Sequence, residues 1–404
     1  MNGLTVRPEK PEQYREMEEL VRSAFWDRYS PGCCEHLIVR NMRVSSAAVP
    51  PLCLAAETGG KLAGGIWYAR AAVRGPGGKR VPVLTLGPAA VRPDLQGRGI
   101  GSALIRHTLE ILPADCRAVV LYGNPAYYGR FGFRPASEFG ITDPSGQFCP
   151  ALQVFPVGEV PAGAFDEGAV YAVTPEEVRA FDRTFPHRQK HLRSSQLFFL
   201  PPGPVPEDPL LRKSWELGRR AELVLRESGM LEAWESIGAE IRCVGSFRTG
   251  LMMNDRDIDL HVYTESLVPE QVLKAAAPLF ASGKVRKLAY IDGSDTDEHC
   301  LEWHWLLTGP DGELWTMDVI QILAGSSFDG VFEDAAEALA DVLTPENRKK
   351  ILTLKAAEPE GSGICGMEFC RAVLEGDVAS WEEFLSWRRN IPPETLVDWR
   401  PKKG

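Results

Sequence analysis

The chain has 404 residues, of which 44% are hydrophobic and 25% charged, so it has the composition of a globular protein too long for one ordinary core. The net charge of −10 divides into +4 for residues 1–200 and −14 for residues 201–404, which makes a long nucleic acid an unlikely partner of the second half. No apolar run approaches the roughly 18 residues of a membrane span, and the first residues lack a signal-peptide pattern. The nine cysteines include no CxxC pair, which favours reduced thiols and a cytoplasmic protein, and from the lack of a long apolar run we expect no membrane partner.

A proline-rich stretch divides the sequence into two predicted domains. Four prolines lie between residues 201 and 206, and such a segment is stiff and extended. We predict a first domain at residues 1–199, a linker at 200–209 and a second domain at 210–404. Strand and helix patterns alternate in both, so the predicted fold class is α/β (α+β).

The first domain begins with a short strand and an amphipathic helix. In chain order its predicted elements are a strand at 4–7, a helix from Pro11 to Phe25, two strands at 52–73 joined by a turn at 58–60, a strand at 81–91, a glycine turn that opens a helix at 92–112, a strand at 118–123, and strands at 131–136 and 150–157.

The glycine turn has the sequence QGRGIG, residues 96–101. Glycines allow a tight turn, and several N–H groups then point outward at a helix N-terminus, where they suit a pyrophosphate. The turn is neither a GxxxxGK[ST] loop nor a GxGxxG dinucleotide fingerprint. A plain strand-to-helix turn is the alternative interpretation.

The context of this turn resembles a known family. The segments LTLGPAAVRPDLQGRGIGSALIRHTLE and AVVLYGNPAYYGRFGFRPA are similar to the GCN5-related N-acetyltransferases (GNAT), and the similarity extends over residues 1–199 to the YhbS type. It implies a central mixed sheet flanked by helices, with acetyl-CoA as the acetyl donor. The resemblance implies these cofactor-binding residues: Ala89, Ala90 and Val91 beside the pantetheine arm and thioester carbonyl, Gln96, Gly97, Arg98, Gly99, Ile100, Gly101 and Ser102 around the pyrophosphate, and Asn124. Pro88 has no N–H, so the donor to the carbonyl must follow it.

The resemblance also implies catalytic roles. Tyr128 would protonate the departing thiolate, with Tyr127 as the alternative acid. The acceptor amine needs a base, and Glu57, Glu35 and His36 are the candidates. The acceptor itself, a small-molecule amine or a peptide, is left open.

The second domain begins with helices and continues with strands. Its predicted elements are helices from Leu211 to Glu227 and from Met230 to Ile237, strands at 241–246 and 257–263, a hairpin at 299–322 with its tip at 309–312, and helices at 334–343, 347–357 and 367–390.

Three aspartates in this domain predict a metal site. Asp257 and Asp259 alternate on one face of a strand, and Asp318 lies on a candidate neighbouring strand. Such carboxylates can hold two Mg²⁺ ions that align a nucleoside triphosphate, while Gly245 and Ser246 form a turn that suits its phosphates.

This pattern resembles the DNA polymerase beta-like nucleotidyltransferase superfamily over residues 210–325. The resemblance implies an α/β domain with C-terminal helices, metal ligation by the three aspartates, nucleotide binding at the glycine–serine turn, and an NTP as co-substrate. Arg256 departs from the superfamily, where a serine often precedes the first aspartate. Glu302 and His304 alternate like a metal pair, but flanking tryptophans favour a half-buried strand.

Three functions remain open at this point. The chain is an acetyltransferase joined to an active nucleotidyltransferase, an acetyltransferase joined to an inactive nucleotide- or partner-binding domain, or a CoA-binding regulator without turnover. Arg348, Lys349 and Lys350 are candidate phosphate contacts, although a solvated helical face is the simpler interpretation.

Overall fold

The computed structural model describes residues 3–200, 205–296, 298–359, 361–391 and 399–401. The chain forms two compact units, one of Met1–Trp26 and Cys33–His187, the other of Asp27–Gly32 and Arg188–Gly404. Residues 188–199 thus group with the second unit rather than the first. Residues 201–204 of the predicted linker lie outside the described residues. In the described part, no helix combines the length and apolarity needed to cross a membrane.

The first unit is a mixed sheet flanked by helices. Its elements are β1 (Leu4–Pro8), α1 (Tyr14–Phe25), α2 (Glu35–Met42), β2 (Leu54–Thr58), β3 (Lys61–Arg74), β4 (Arg80–Val91), α3 (Ile100–Glu110), β5 (Ala118–Tyr122), α4 (Pro125–Tyr128), β6 (Arg134–Pro135), β7 (Ile141–Thr142), β8 (Leu152–Pro156), β9 (Gly163–Asp166) and α5 (Pro175–Asp182). The helices α2, α4 and α5 and the strands β7 and β9 have no counterpart in the sequence prediction.

The strands of this sheet follow the order β1-β2-β3-β4-β5-β8-β6, with β9 paired to β3 and β7. Neighbours along this order are antiparallel except β4 and β5, which run parallel and pair only at Leu84–Val119 and Thr85–Val120. Beyond these two pairs the strands separate. The predicted strand at 131–136 shrinks to β6, because Gly132 takes a left-handed conformation with φ 95°.

Alternate residues of β3 pack on opposite faces of the sheet. Ile66 and Tyr68 lie in the core shared with α3. Trp67 and Ala69 lie in the core shared with α1 and α2. This two-sided burial explains why β3 is apolar along most of its length.

The second unit is a five-stranded sheet with helices before and after it. Its elements are α6 (Pro209–Ser228), α7 (Met230–Glu235), β10 (Glu240–Cys243), α8 (Gly245–Thr249), β11 (Asp257–Thr264), α9 (Pro269–Ala275), α10 (Ala277–Ala281), β12 (Val285–Gly293), β13 (Cys300–Thr308), β14 (Leu314–Leu323), α11 (Val331–Val342), α12 (Pro345–Ala357), α13 (Gly366–Gly376) and α14 (Trp381–Arg388). The strand order is β10-β11-β14-β13-β12, in which only β11 and β14 run parallel within the described residues.

Several features of this unit differ from the sequence prediction, which has no counterpart of the helices α8, α9 and α10. The edge strand β12 is unpredicted, because its side chains are largely exposed and show no apolar alternation. The helix predicted at 367–390 is two helices, since Asp377 adopts a left-handed conformation, with φ 50°, at the end of α13.

One face of the second sheet is apolar and the other is polar. Ile258, Trp303 and Val319 are buried in the same core as residues of α6 and α7. Side chains alternate across a strand, so Asp259 and Asp318 lie on the opposite, polar face.

Candidate functional site

The first candidate site is the gap between β4 and β5. The N–H of Arg92 donates to the carbonyl of Ala63 on β3, at 2.9 Å, and Ala90 stands opposite another residue of β3. Since backbone groups alternate in direction along an antiparallel strand, the N–H groups of Ala89 and Val91 point away from β3. They therefore face the gap that opens beyond the two β4–β5 pairs.

The glycine turn follows β4 directly. The side-chain amide of Gln96 donates to the carbonyl of Val91 at 3.1 Å and so ties the turn to the strand. Gly97 and Gly99 are left-handed, with φ 74° and 83°, which glycine tolerates without strain. The N–H groups of Ile100–Ser102 belong to the first turn of α3 and have no intrahelical acceptors.

Positive charge lies beside this turn. Arg98 is exposed, and Arg130 donates to the hydroxyl of Ser102 at 3.2 Å. The Arg130 guanidinium also lies 4.1 Å from the ring centre of Tyr127. The hydroxyl of Tyr127 would be 3.0 Å from a Cβ added at Gly101, so this tyrosine borders the first turn of α3.

Tyr128 lies on the sheet side of α4. Its ring covers Gly123, where an added Cβ would collide with it, and it packs edge-on against Phe133 at 5.6 Å between ring centres. Burial raises the pKa of Tyr68, and repulsion between the two ionised hydroxyls of Tyr68 and Tyr128 adds to this effect. The Tyr68 hydroxyl bonds that of Thr108 at 2.8 Å. Tyr127 and Tyr128 thus face different surroundings.

Asn124 begins the helix that carries both tyrosines. Its side-chain oxygen accepts the N–H of Ala126 at 2.9 Å, the geometry of an N-cap. The structure therefore gives Asn124 a role in starting α4, in addition to the cofactor contact that the family resemblance implies.

Two of the three candidate bases are engaged elsewhere. Glu57 accepts a hydrogen bond from Gln13 at 2.7 Å and forms an ion pair with Arg7. These contacts, that of Gln13 first, lower its pKa. His36 is fully buried, and its Nε2 lies 3.5 Å from the carboxylate of Asp182. Glu57 is thus held by Arg7 and Gln13 and His36 is buried beside Asp182, so we favour other residues as the base predicted from the sequence.

Glu35 and a residue that the sequence analysis missed, Glu167, have the properties of a base. Burial raises the pKa of Glu35 to about 7, against the opposing effect of backbone N–H groups. Burial alone raises the pKa of Glu167 to about 7. A carboxylate with such a pKa can accept a proton near neutral pH.

Glu167 directly follows β9, and its charge acts on several other side chains. Its negative charge contributes, after burial, to raising the pKa of Tyr122, Tyr171 and Cys34. The hydroxyl of Tyr171 donates to the carbonyl of Gly87 on β4 at 2.6 Å. Tyr171, whose pKa the charge of Glu167 helps to raise, thus contacts β4 two residues before Ala89.

The second candidate site is the carboxylate cluster on β11 and β14. Asp259 and Asp318 stand opposite each other on the parallel pair. One ligand atom from each of Asp257, Asp259 and Asp318 lies within 4.8 Å of the others. The three aspartates predicted from the sequence are thus brought together.

The electrostatics of this cluster favour a cation. Burial first, and then repulsion from the neighbouring carboxylates, raises the pKa of Asp257 and of Asp259 well above the ordinary range. Among the described residues, Oδ1 of Asp257 is buried and has no hydrogen-bond partner. A hard cation would satisfy that oxygen and relieve the repulsion.

The turn at Gly245 and Ser246 packs against the cluster. Gly245 has φ 66°, and a Cβ added there would collide with the carboxylate of Asp259. The backbone N–H of Ser246 acts to lower the pKa of the same carboxylate, against the larger effect of burial. The hydroxyl of Ser246 accepts a hydrogen bond from Lys355 at 2.8 Å.

His304 extends the cluster along the sheet. Its Nδ1 lies 2.7 Å from the carboxylate of Asp318 and its Nε2 lies 3.0 Å from that of Glu302. Burial opposes protonation of His304, but these two hydrogen bonds raise its pKa. The alternation of Glu302 and His304 in the sequence was the signal for this arrangement, in which the imidazole bridges two carboxylates.

The basic residues near this cluster have partners. Arg256 pairs with Glu313 at 2.7 Å, and Arg348 donates to the carbonyl of Gly250 at 3.0 Å. Lys349 and Lys350 pair with Asp208 and Asp377. In this structure all four therefore engage protein groups.

Two family models match parts of this chain. Residues 5–136 match a family model described as an acetyltransferase (GNAT) domain. Residues 227–307 match a model described as a nucleotidyltransferase domain. The first is a GNAT domain and the second a nucleotidyltransferase domain. The two resemblances seen in the sequence are confirmed.

Individual relatives match the GNAT domain. The uncharacterized N-acetyltransferase YjhQ from Escherichia coli (strain K12) is 36% identical over 102 residues, which are 25% of this chain and 55% of the relative. The chain thus spans about half the length of YjhQ. A GNAT family acetyltransferase from Brucella melitensis, solved in complex with acetyl-CoA, is 29% identical, with 42% of this chain and 99% of that chain covered and a TM-score of 0.35. YhbS from Escherichia coli, solved in complex with CoA, is 22% identical. The match covers 42% of this chain and 92% of that chain, with a TM-score of 0.37.

Several residues described above lie outside both matched ranges. Glu167 and Tyr171 follow the GNAT match, and Asp318 and Lys355 follow the nucleotidyltransferase match. No local motif marks Glu167 in the sequence, because its position depends on the pairing of β9 with β3.

Proposed function

We propose that the GNAT domain transfers an acetyl group from acetyl-CoA to an amine, and that the nucleotidyltransferase domain transfers a nucleotidyl group with the help of Mg²⁺. The observation that supports the first activity best is the gap between β4 and β5, with the N–H groups of Ala89 and Val91 facing it. The amide groups of pantetheine can hydrogen bond to such an unpaired strand edge in the way that an added strand does.

The residues around the gap would have separate roles in acetyl transfer. Bound acetyl-CoA would supply an activated acyl thioester. One of the N–H groups of Ala89 and Val91 would donate to the thioester oxygen and stabilise its developing charge, while the other would pair with the pantetheine arm. Glu167 would take the proton of the attacking amine, with Glu35 as the second candidate. Tyr128 would donate its hydroxyl proton to the departing sulfur.

The turn at Gln96–Ser102 would hold the pyrophosphate of the cofactor. Its left-handed glycines leave the backbone open, and the first-turn N–H groups of α3 offer donors at the positive end of a helix. Arg130, which bonds the hydroxyl of Ser102, adds a cation at the same place. We therefore add Arg130 to the cofactor residues expected from the sequence.

The metal site of the second domain would consist of Asp257, Asp259 and Asp318. Their spacing within 4.8 Å and the unpartnered oxygen of Asp257 fit Mg²⁺, which prefers carboxylate ligands. Bound Mg²⁺ would neutralise phosphate charge and orient the nucleotide. The side chain of Ser246 would lie beside the phosphates.

A second candidate function keeps only the acetyltransferase active. His304 already bridges Asp318, and Lys355 lies close enough to lower the pKa of Asp259. These cations offset part of the carboxylate repulsion without metal, as expected in an inactive nucleotide- or partner-binding domain.

Two assays test the proposals. Acetyl transfer is tested by thiol release from acetyl-CoA over a panel of small amines and a lysine peptide. Nucleotidyl transfer is tested by pyrophosphate release from each of the four NTPs with Mg²⁺ over the same panel extended to small alcohols. Thiol release without pyrophosphate release would favour the second candidate function.

A further inference from the structure

Two glutamates of the first unit lack a positive partner, and the argument that follows rests on the proposed acetyl transfer. Glu35 begins α2, and Glu167 directly follows β9. Both side chains are half-buried. In the part of the chain that the structure describes, neither carboxylate forms an ion pair, and no positive charge lowers the pKa of either one.

The two glutamates belong to one cluster. The helix α2 contacts the turn at Ala169–Tyr171, which begins two residues after Glu167. The backbone N–H of Cys34 donates to the carboxylate of Glu35 at 3.0 Å. Burial raises the pKa of the Cys34 thiol, and the charges of Glu35 and Glu167 add to this effect. Both carboxylates therefore lie within electrostatic range of the same sulfur.

The cluster contacts β4 and is bordered by apolar groups. The hydroxyl of Tyr171 donates to the carbonyl of Gly87 at 2.6 Å. The N–H of Ala89, two residues further along β4, faces the gap in which acetyl transfer is proposed. Cys34 and Tyr171 both pack against the core that contains Val170. A ligand at this place would meet two negative charges in largely apolar surroundings.

The backbone holds the two carboxylates differently. The N–H groups of Cys34 and of Glu35 itself act to lower the pKa of Glu35, against the larger effect of burial. Burial alone acts on Glu167. Hydrogen bonds to a carboxylate favour its charged form. Glu35 is therefore the better anion, and Glu167 is the better residue to exchange a proton.

We propose that the acetyl acceptor is a small molecule with two amino groups, of which Glu35 binds one as an ammonium while the other reacts beside Glu167. A ligand ammonium would supply the positive charge that the described residues do not place at Glu35. In the reaction the nitrogen–carbon bond forms and the carbon–sulfur bond breaks. The proton of the reacting amine passes to Glu167, and the sulfur receives the proton of Tyr128. The second amino group stays an ammonium throughout.

An alternative role for the same pair makes a different prediction. If Glu35 and Glu167 only pass a proton between them, a second charge on the acceptor has no influence on the rate. If Glu35 binds an ammonium, an acceptor without that charge loses affinity. Two acceptors that differ in this one group separate the two roles.

The experiment measures thiol release from acetyl-CoA by the full chain. The central pair of acceptors is diaminobutane and the aminobutanol of equal length, in which a neutral hydroxyl replaces one ammonium. Shorter and longer diamines with their amino alcohols, and a peptide whose single amino group is on a lysine, complete the panel. Calorimetry with CoA present measures the affinity for the same ligands.

The variant is Glu35→Gln, and Glu57→Gln is the matched control because Glu57 already pairs with Arg7. Circular dichroism verifies that both variants fold. Gln keeps the size of the side chain and removes the charge, so a change in the preference for diamines reports the charge of Glu35.

We expect the wild type to prefer the best diamine over its amino alcohol by about 10-fold or more in kcat/KM, after correction for the two equivalent amino groups, because the charged hydrogen bond forms only with the diamine. The preference should lie mainly in KM and should recur in the Kd. Glu35→Gln should bring the ratio close to one, and Glu57→Gln should keep it.

Equal kcat/KM for each diamine and its amino alcohol in the wild type would overturn the inference, whether or not Glu35→Gln folds. An equally efficient lysine peptide would overturn it too. So would a preference that persists in folded Glu35→Gln, since the second ammonium would then bind elsewhere. If no amine of the panel releases thiol, the proposed acetyl transfer itself fails, which is a different result.

Discussion

The backbone of Gly245 approaches the carboxylate of Asp259 so closely that any Cβ at this position would collide with it. Gly245→Ala should therefore displace Asp259 and abolish stabilisation of the second unit by Mg²⁺. Gly238→Ala is the control, since Gly238 also has a positive φ, 78°, but nothing within 4 Å of an added Cβ. Both variants should lose about 1–2 kcal/mol from the left-handed backbone, and only Gly245→Ala should lose the metal response. Thermal unfolding with and without Mg²⁺ makes the comparison.

The three aspartates predict a metal- and pH-dependent stability. The pKa of Asp257 and of Asp259 is raised in the folded state, so the unfolded chain loses these protons at lower pH than the folded chain does. Without metal, the free energy of unfolding should thus fall as pH rises above the ordinary aspartate range, and Mg²⁺ should reverse the fall.

Replacing Asp257, Asp259 or Asp318 with Asn tests the same cluster. Each variant should lose the stabilisation by Mg²⁺ and NTP, because ligand binding to the folded state is what raises the unfolding temperature. Acetyl transfer should be unaffected. If Mg²⁺ and all four NTPs leave the unfolding temperature of the wild type unchanged, the second domain resembles nucleotidyltransferases in fold only.

The glycine turn predicts a defect in cofactor binding. Gly99 is left-handed with φ 83° at the start of α3, so Gly99→Val should distort the turn and obstruct a pyrophosphate. Acetyl-CoA affinity, measured by calorimetry on folded protein, should fall by at least about 10-fold, which corresponds to about 1.4 kcal/mol. Gly59→Val, in the turn between β2 and β3, is the control with a comparable φ of 56°. Unchanged affinity in Gly99→Val would contradict the assignment.

Tyr128 predicts a defect in turnover rather than in binding. Tyr128→Phe removes the proton donor and should lower kcat by about 10²-fold or more, while the Kd for acetyl-CoA stays nearly constant. Tyr127→Phe is the matched control. Tyr127 is the neighbouring tyrosine, and its hydroxyl borders the first turn of α3 instead. A larger kcat loss in Tyr127→Phe would transfer the role to that residue.

If Glu167 is the base, its pKa determines how the rate of acetyl transfer depends on pH. Its pKa of about 7 means that the wild-type rate should rise with pH, reach half of its maximum near pH 7 and level off above that pH, where the base is unprotonated. Glu167→Gln should lower the plateau by about 10²-fold and remove that rise, whereas Glu57→Gln should keep it. Glu35→Gln distinguishes the second candidate, and a profile unchanged in Glu167→Gln would assign the base to Glu35.

The sign of the effect on stability follows from the same pKa. In the folded state the pKa of Glu167 is raised from 4.5 to about 7. Its contribution to the free energy of unfolding is therefore largest at low pH and is lost as pH rises from about 4.5 to about 7. Glu167→Gln should flatten this decline in thermal unfolding. A decline as steep as in the wild type would place the titrating group elsewhere.

Most of the strands and the carboxylate cluster could be predicted from local sequence patterns. The apolar alternation and glycine turns give β2, β3 and β4, and the spacing of three carboxylates gives a cluster that the parallel pairing of β11 and β14 assembles. Glu167 and Lys355 were missed for the same physical reason. Each is a single charged residue whose burial depends on segments distant in sequence, β9 against β3 and α12 against the turn at Ser246.

The brief pairing of β4 with β5 has a consequence for how cofactor occupancy can be observed. The amides of Ala89 and Val91 face the gap, and a cofactor seated there would complete the hydrogen bonding of the sheet as a removable strand. Their hydrogen–deuterium exchange should slow when acetyl-CoA binds, while the amide of Arg92, already bonded to Ala63, should change little. These backbone amides would then report the loaded fraction of the protein without any knowledge of its acceptor.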